Sequence, residues 1–438
     1  MLQNKTQRRL VWLLFVSNLL ITLFFWWNRS SVLIAGDQPG SMILALGRLA
    51  GLLAEFFILV QLILISRAPF IEKAYGFDKL NDLHRKIGYI LGATIISHPL
   101  LIVVAYAKMS NQALSAELMQ VFQMEDVSKA VVGIMIMIAL CILAIPYFRK
   151  MMRYGRWHAV HLLMYIAIGL AFGHQVNEGV VSYGVAFYYW YLLNFAVFGA
   201  VLLYRFLRPF ILYARHRFYV DKIEQETPDV FSVYIRGENM NQFSFEPGQY
   251  INVSFLAKGM WEPHPFSLSS APNSEYIRLS IKSSGDFTSG IRNLLPGTKV
   301  IIEGPLGRFT ESASSRDKYL FLAGGIGITP IRSMMESLSK KGKDIALLYA
   351  CRSMEDIALK NELDRFTPKR TYVLSNTPDP TCESGYIDSK KIKRLVPDYM
   401  DREIYLCGPL PMMEAMTLKT LKELGIPKSQ IHYEMFNY

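Results

Sequence analysis

HRKIGYILGATIISH, residues 84–98, is the stretch on which the fold turns. Its two histidines, His84 and His98, stand 14 positions apart in an otherwise apolar helical segment. At about 1.5 Å of rise per residue they lie ~21 Å apart along the axis, and at ~100° per residue they fall within ~40° of one face. A second apolar segment downstream carries His161 and His174, 13 positions apart. Four imidazoles at two depths could hold two haems, one above the other.

The rest of the chain supports a membrane setting. Its 438 residues suggest two or three folding units, and the composition changes sharply near residue 210. Before that point long apolar runs follow one another; after it charges are frequent and apolar runs short. Six runs, at about 9–27, 41–66, 86–107, 127–148, 159–177 and 185–206, have the length and apolarity of membrane helices. The first reads as a span and not a cleaved signal, because it is long and lacks a small-residue cleavage site. Basic residues gather in alternate loops. Lys5, Arg8 and Arg9 precede the first run, and Arg67, Lys73, Lys79, Arg85 and Lys86 lie between the second and third. Arg149, Lys150, Arg153 and Arg156 lie between the fourth and fifth, and Arg205, Arg208, Arg215 and Arg217 follow the sixth. The other loops are poor in Lys and Arg, and 108–126 carries Glu117, Glu125 and Asp126. Both termini and the soluble half are therefore expected in the cytoplasm. The net charge of +11 is largely this topology signal plus attraction to anionic lipid, which argues against a nucleic-acid partner. Cys141, Cys351, Cys382 and Cys407 form no CxxC pair, which argues against an iron–sulfur cluster, a structural zinc or a disulfide framework.

Histidine is rare at membrane depth, and an intramembrane ionisable group is a functional candidate by default. A lone one would more often bond a neighbouring helix; here the arrangement is constrained. The third and fifth helices run in the same direction, so His84 faces His161 near the inner surface and His98 faces His174 about four turns further out. Bis-imidazole ligation fills both axial positions of an iron and suits electron transfer. Ideal geometry resists this on one point: 13 residues of helix rotate about 1300°, leaving His161 and His174 ~140° apart in azimuth. Gly169 and Gly173 offer places for local distortion, or the porphyrins are approached from different sides. His158, a rival for His161, aligns no better and is assigned to the interface or a propionate. Helix 2 adds Arg48 and Glu55, seven apart and on one face. Arg48 falls near the depth of His98 and Glu55 between the two levels. They either form a salt bridge, or Arg48 neutralises a propionate or a developing anion at the outer haem.

Residues 218–310 show short alternating segments split by turn residues, the pattern of a small antiparallel barrel. PGQY at 247–250 is followed by HPFSLSSAP at 264–272. An HPFS strand lets an aromatic lie along a ring while a hydroxyl reaches a heteroatom. SGDFTSG at 284–290 offers backbone N–H groups and hydroxyls before a helical stretch, suited to a pyrophosphate. Lys282, Gly285, Asp286, Phe287 and Thr288 are its candidate cofactor contacts. From 318 strands and helices alternate. YLFLA at 319–323 is a buried strand, and GGIGITP at 324–330 follows it. Gly324, Gly325 and Gly327 let the backbone approach phosphate, while Thr329 and Pro330 open a helix whose N-terminus favours negative charge. It falls short of the full GxGxxG fingerprint. The next strand ends in Cys351, Arg352 and Ser353, and an Arg and Ser there could bind a ribose 2′-phosphate, which points to NADPH over NADH. EIYLCGP at 403–409 places Cys407, Gly408 and Pro409 at a strand's carboxyl end, where α/β sheets bind ligands. Cys407 there is either core packing or a nicotinamide contact. Phe436, or less well Tyr438, could cover the flavin face until nicotinamide displaces it.

Together these residues resemble the NADPH oxidase and ferric reductase superfamily, and the likeness covers nearly the whole chain. HPFSLSSAP is similar to that family's flavin motif, which implies FAD contacts at His264, Pro265, Phe266 and Ser267. GPLG at 304–307, with Gly304 and Gly307, recurs in the family's order together with GGIGITP and CGP, and resembles its NADPH-side motifs. Spacings of 14 and 13 between the paired histidines look like the oxidase branch. The resemblance implies a six-helix membrane bundle over 1–210, an antiparallel β-barrel FAD domain over 211–312 and an α/β NAD(P)H-binding domain over 313–438. It implies two haem b groups ligated by His84 with His161 and His98 with His174, and an electron path from NADPH through FAD to an acceptor outside the cell membrane. Oxidases commonly carry a further histidine four positions after the outer helix-3 ligand; here Ile102 stands there, so the oxygen site is incomplete in family terms, although Arg48 could serve it. Neither a calcium-binding loop nor room for a regulatory domain before the first helix is evident, so a prokaryotic member active without regulatory subunits is expected. Oxygen, giving superoxide, is the expected acceptor, with a ferric chelate as the alternative. A quinone acceptor and a haem-binding sensor with a vestigial reductase are rivals, and the latter predicts damaged nucleotide motifs.

Overall fold

The computed structural model describes residues 2–152, 154–177, 180–273, 275–313, 316–377 and 379–434. The chain divides into two compact units, Leu2–Arg205 and a second that begins at Phe206. Among the described residues six helices are long and apolar enough to cross a membrane: Thr6–Ala35, Ser41–Ile65, Lys79–Ser110, Val127–Ala144, Gly155–Gln175 and Gly184–His216. A helix satisfies its own backbone polar groups, which is what an apolar solvent demands of a spanning segment.

In the first unit these segments belong to helices α1 (Leu2–Ala35), α2 (Ser41–Ile65), α3 (Phe77–Ser110) and α4 (Glu125–Ala144), followed by α5 (Tyr154–His161), α6 (Met164–Asn177) and α7 (Gly184–Val201). α1 continues past the apolar run to Ala35, because neither Gly nor Pro interrupts it before Gly36. An apolar core brings Ala54, Ile58 and Leu62 of α2 near Leu91 and Ile95 of α3, Met137 of α4, Ala167 and Ala171 of α6, and Val197 of α7, while Glu55, Gln61 and Asn194 are buried polar groups beside it. Small residues set the closest approaches. A Cβ on Gly133 of α4 would stand 2.7 Å from Ala167 O and 3.2 Å from Ala171 N.

In the second unit, α8 (Arg208–His216) leads into β1 (Tyr219–Thr227), β2 (Val230–Arg236), β3 (Tyr250–Phe255), β4 (His264–Ser267), β5 (Ile277–Lys282) and β6 (Val300–Leu306). They form two three-stranded antiparallel sheets, ordered β1-β2-β5 and β4-β3-β6. Both sheets close on one core in which Val233, Ile235, Ile251, Val253, Leu268, Leu279 and Ile302 are fully buried. The remaining strands are β7 (Lys318–Gly324), β8 (Asp344–Cys351), β9 (Arg370–Leu374), β10 (Glu383–Ser384), β11 (Glu403–Cys407) and β12 (Ile431–Glu434). They make one parallel sheet, ordered β10-β9-β8-β7-β11-β12. Apolar residues cover both of its faces, Phe321 and Tyr405 on one and Leu320, Leu322 and Leu406 on the other, so these strands read as continuous apolar runs. The chain leaves β7 in one direction and returns on its other side at β11. The carboxyl ends of those two strands are therefore the switch point at which such sheets bind ligands.

Candidate functional site

The paired histidines meet. The ring centroids of His84 and His161 lie 6.5 Å apart, and those of His98 and His174 lie 6.2 Å apart. A metal–imidazole bond of ~2 Å puts two rings on opposite sides of one metal with centroids roughly 6 Å apart. Both pairs have that spacing. The azimuthal mismatch of an ideal helix is reduced by a break between α5 and α6: Leu163 N–H donates to Val160 O at 3.1 Å and Tyr165 N–H to Leu162 O at 3.1 Å. Turns closed over three residues advance ~120° per residue instead of ~100°, which adds a few tens of degrees. The distortion thus follows His161 directly. Gly169 and Gly173, where it was expected, lie within the regular helix Met164–Asn177.

Ring orientation bears on what these histidines can hold. His98 Nδ1 lies 2.9 Å from Gly47 O, and His174 Nδ1 bonds Ala171 O. A carbonyl partner requires the proton on Nδ1, so both Nε2 atoms of the outer pair keep their lone pairs. In the inner pair the Nδ1 atoms of His84 and His161 are buried with no hydrogen-bond partner among the described residues. The His161 ring stacks on Trp157 at 5.1 Å, and Gln61 Nε2 holds His84 O at 2.8 Å. Among the described residues no group of three His, Cys, Asp or Glu side chains converges as a metal site. Each level therefore offers two axial nitrogens, which fits a metal that brings its own equatorial ligands, as haem does.

Two glycines that the sequence reading passed over make room for the outer pair. A Cβ on Gly51 would stand 2.7 Å from both Cε1 and Nδ1 of His98, so that ring fills the space left by Gly51, while Leu101 and Ile102 fill that left by Gly47 one turn away on α2. Small residues four apart on a membrane helix are the sequence signal for such an approach. Arg48, between them, stands at the level of the outer pair, half-buried and with no ion pair among the described residues. Its salt bridge to Glu55 does not form. Glu55 accepts instead from Gln175 Nε2 at 3.0 Å, and Gln175 Oε1 accepts from Trp190 Nε1 at 3.0 Å. Ile102 lies at the same level, its Cδ1 3.0 Å from the Cβ position of Gly47.

In the second unit HPFS is β4. Register places Ser267 opposite Tyr250 and Phe266 opposite Ile251, tying it to PGQY. The Phe287 ring lies 3.9 Å from that of His264 and 6.1 Å from that of Phe266, so HPFS and SGDFTSG share one aromatic layer. Pro265 sits in the same strand opposite Asn252. Burial pushes the His264 imidazole below its ordinary value, so it is neutral at pH 7. Lys282 ends β5 and pairs with Asp229 at 3.1 Å. The expected helix after SGDFTSG starts inside the motif, as the one-turn helix α9 (Asp286–Gly290). The N–H groups of Ser284 and Gly285 donate to Thr288 Oγ1 at 2.9 and 3.0 Å, so this turn offers an anion fewer groups than its sequence implied. Gly304 and Gly307 have φ of 141° and 94°, and a Cβ on Gly307 would press 2.9 Å from the Tyr250 ring.

At the switch point two turns interlock. Gly324 to Gly327 bend into helix α10 (Ile328–Lys340), with Thr329 Oγ1 donating to Ile326 O at 3.0 Å and Pro330 buried in the first turn. A Cβ on Gly327 would stand 2.7 Å from Gly408 N, and one on Gly324 2.9 Å from Pro409 Cδ. Backbone touches backbone, leaving peptide groups of both turns at the carboxyl edge. The Cys407 thiol points inward; it is fully buried, and burial holds it well above the ordinary thiol range. Burial likewise pushes Cys351 up to about 12. Arg352 is exposed beyond β8, 3.4 Å from Asp356 and 3.8 Å from Asp229. Glu434, which the sequence reading passed over, pairs in register with Cys407. Phe436 and Tyr438 lie outside the described residues.

Three family models match successive parts of the chain: a ferric reductase like transmembrane component over 50–172, an FAD-binding domain over 216–310 and an oxidoreductase NAD-binding domain over 321–417. A glycine betaine monooxygenase reductase subunit of Chromohalobacter salexigens is 30% identical over 237 residues, covering 51% of this chain and 64% of its own. The flavohemoprotein of Bacillus subtilis is 29% identical over 235 residues, covering 50% and 58%. The chain thus spans less than two thirds of the length of these relatives. Among solved structures, the flavohem-like FAD/NAD-binding domain of nitric oxide dioxygenase from Vibrio cholerae O1 biovar El Tor aligns with 50% of this chain and 98% of its own, at 25% identity and a TM-score of 0.46.

Proposed function

We infer that this chain, which has the domain architecture of the NADPH oxidase and ferric reductase superfamily and is an NAD(P)H oxidoreductase, is built to move electrons across a membrane. It takes hydride from NADPH on the cytoplasmic side and delivers single electrons to molecular oxygen on the outer face, forming superoxide. The observation that carries this reading is the pair of histidine levels, with centroids 6.5 and 6.2 Å apart. When bound, FAD supplies the exchange between a two-electron hydride and single electrons, and two haem b groups supply one-electron carriers.

The chain's own residues supply placement. His84 with His161, and His98 with His174, would each hold one haem, which would supply a one-electron carrier at that level. The carbonyls of Gly47 and Ala171 fix the outer rings in the tautomer that presents Nε2. Arg48 places a positive charge at the outer level, where an anion forms at the end of the path. His264, Phe266 and Phe287 form the aromatic wall for the flavin, and the two turns at the switch point hold the nicotinamide nucleotide. Arg352 reaches for its 2′-phosphate.

A ferric chelate is the second reading, supported by the ferric reductase-like match and by the apolar Ile102 beside the outer pair. Purified protein oxidising NADPH separates the two. Superoxide-dismutase-sensitive reduction of cytochrome c supports oxygen. Ferric chelate reduced anaerobically at the full aerobic rate, with no superoxide formed, overturns it.

A further inference from the structure

The segment that follows the HPFS strand, Ser269 to Ala271, is gripped residue by residue by the helix that follows the glycine turn. Ser269 O accepts from Arg332 at 3.0 Å, Ser270 O accepts from Ser333 Oγ at 2.7 Å, and Ala271 N–H donates to Glu336 at 2.9 Å. Arg332, Ser333 and Glu336 lie on consecutive turns of α10, just beyond Gly327. From the barrel side, Arg278 of β5 bonds the same Ser269 O at 3.1 Å and reaches across to Glu362 at 2.6 and 3.2 Å. Glu362 belongs to α11 (Lys360–Phe366) of the nucleotide domain and also receives Arg332. Arg278 and Arg332 are 2% and 5% exposed. The buried part of the cluster holds two guanidinium and two carboxylate groups, and the exposed Lys340 pairs with Glu336 from its rim at 2.9 Å.

A buried ion cluster is a weak source of stability, since desolvation offsets most of the attraction. Apolar residues would join two domains at least as firmly. Forked guanidinium groups sharing one carboxylate do something apolar contacts do less well: they admit one relative placement of their partners. Here the partners are the segment that continues the HPFS strand and the helix that begins at the glycine turn.

We propose that Arg332, Ser333, Glu336, Arg278 and Glu362 are positioning residues for hydride transfer, setting the nicotinamide against the flavin by fixing the flavin strand to the nucleotide helix. The proposal rests on the flavin and nicotinamide sites of the reading above and is independent of the histidine pairs.

The test is anaerobic stopped-flow reduction of bound flavin by NADPH, in purified full-length protein, with rates expressed per bound flavin. In Glu362→Gln the limiting rate at saturating NADPH is expected to fall about 10- to 100-fold, the scale of a misplacement near 1 Å. The half-saturating NADPH concentration stays within about twofold, and the primary isotope effect with deuterated NADPH rises. Ser333→Ala removes one neutral hydrogen bond from a small side chain and is expected to fold, with a smaller loss of the same kind. A wild-type limiting rate in Ser333→Ala, or a change confined to half-saturation or flavin content, overturns the proposal, whether or not Glu362→Gln folds. Wild-type protein whose flavin NADPH does not reduce refutes the underlying site reading instead.

Discussion

Replacing Gly51 by alanine tests the outer histidine pair at its tightest point. The added methyl would stand 2.7 Å from Cε1 and Nδ1 of His98, where ordinary contact begins at 3.4 Å, so the ring must retreat by about 0.7 Å. It cannot do so freely, because its Nδ1 is held by Gly47 O at 2.9 Å on the same helix. Overpacking of this kind costs about 1–3 kcal/mol. At ~1.4 kcal/mol per decade that weakens an outer ligand by about 5- to 150-fold. The three atoms nearest the added methyl all belong to His98, so His84 and His161 are expected to be unaffected. Haem content per protein is expected to fall from two towards one, with one component lost from the redox titration and NADPH still reducing flavin at its normal rate. Gly199→Ala, at a position with no atom within 4 Å of the added methyl, is the control. Two haems bound normally in Gly51→Ala refute the reasoning, as does an equal loss in Gly199→Ala.

Three further outcomes follow from the second unit. A methyl on Gly327 would meet the backbone of Cys407 and Gly408, the latter at 2.7 Å, and neither strand end can step aside. Gly327→Ala is expected to lower the Tm by roughly 2–10 °C, the effect of about 1–3 kcal/mol on a unit of this size, and to raise the KM for NADPH; an unchanged melt and KM refutes the interlocked-turn geometry. Arg352→Ala removes a charge-assisted contact worth about 1.5–3 kcal/mol, so NADPH should lose about 10- to 100-fold in kcat/KM while NADH changes little; equal losses with both nucleotides refute the role. Burial alone would raise the Glu336 carboxyl, but the Ala271 N–H and the Arg332 charge outweigh it and bring it to about 2, below its ordinary 4.5. A hydrogen bond from Arg402 holds Asp398 at about 2, below its ordinary 3.8. Both are depressed in the folded state, so their stabilisation is complete above pH 4.5 and is lost as pH falls through about 2. Thermal melts followed by flavin release should be level down to pH 4.5 and drop below it; a drop that begins well above that pH points to other groups.

The amino-acid sequence by itself determined the six spans, the order of the soluble motifs and the pairing of histidines by depth. Each of these is a property of one segment. A long uncharged run has to close its hydrogen bonds within itself, and helical rise converts a spacing of 14 into a depth. The strand–turn–helix at Gly324 to Thr329 was legible for the same reason, since glycine, apolar run and periodicity all act locally.

Only the tertiary structure decided what faces what. The break after His161 falls at two leucines that look like any others in an apolar run, because it answers to the packing of α6 against α4 and not to a local breaker. Glu55 turns to Gln175, far away in sequence, and Arg48 has no ion pair among the described residues. His98 acquires its tautomer from a carbonyl on another helix, reachable because Gly51 has no side chain. The ion cluster on Ser269 joins charges from β5, α10 and α11, each of which looks like a solvated surface residue when read alone. Charge and hydrogen-bond pairing depend on distances between segments, and those are set by how cores pack. The two histidines of residues 84–98 therefore specified how deep a metal could sit, and at His98 the fold specified which nitrogen would meet it.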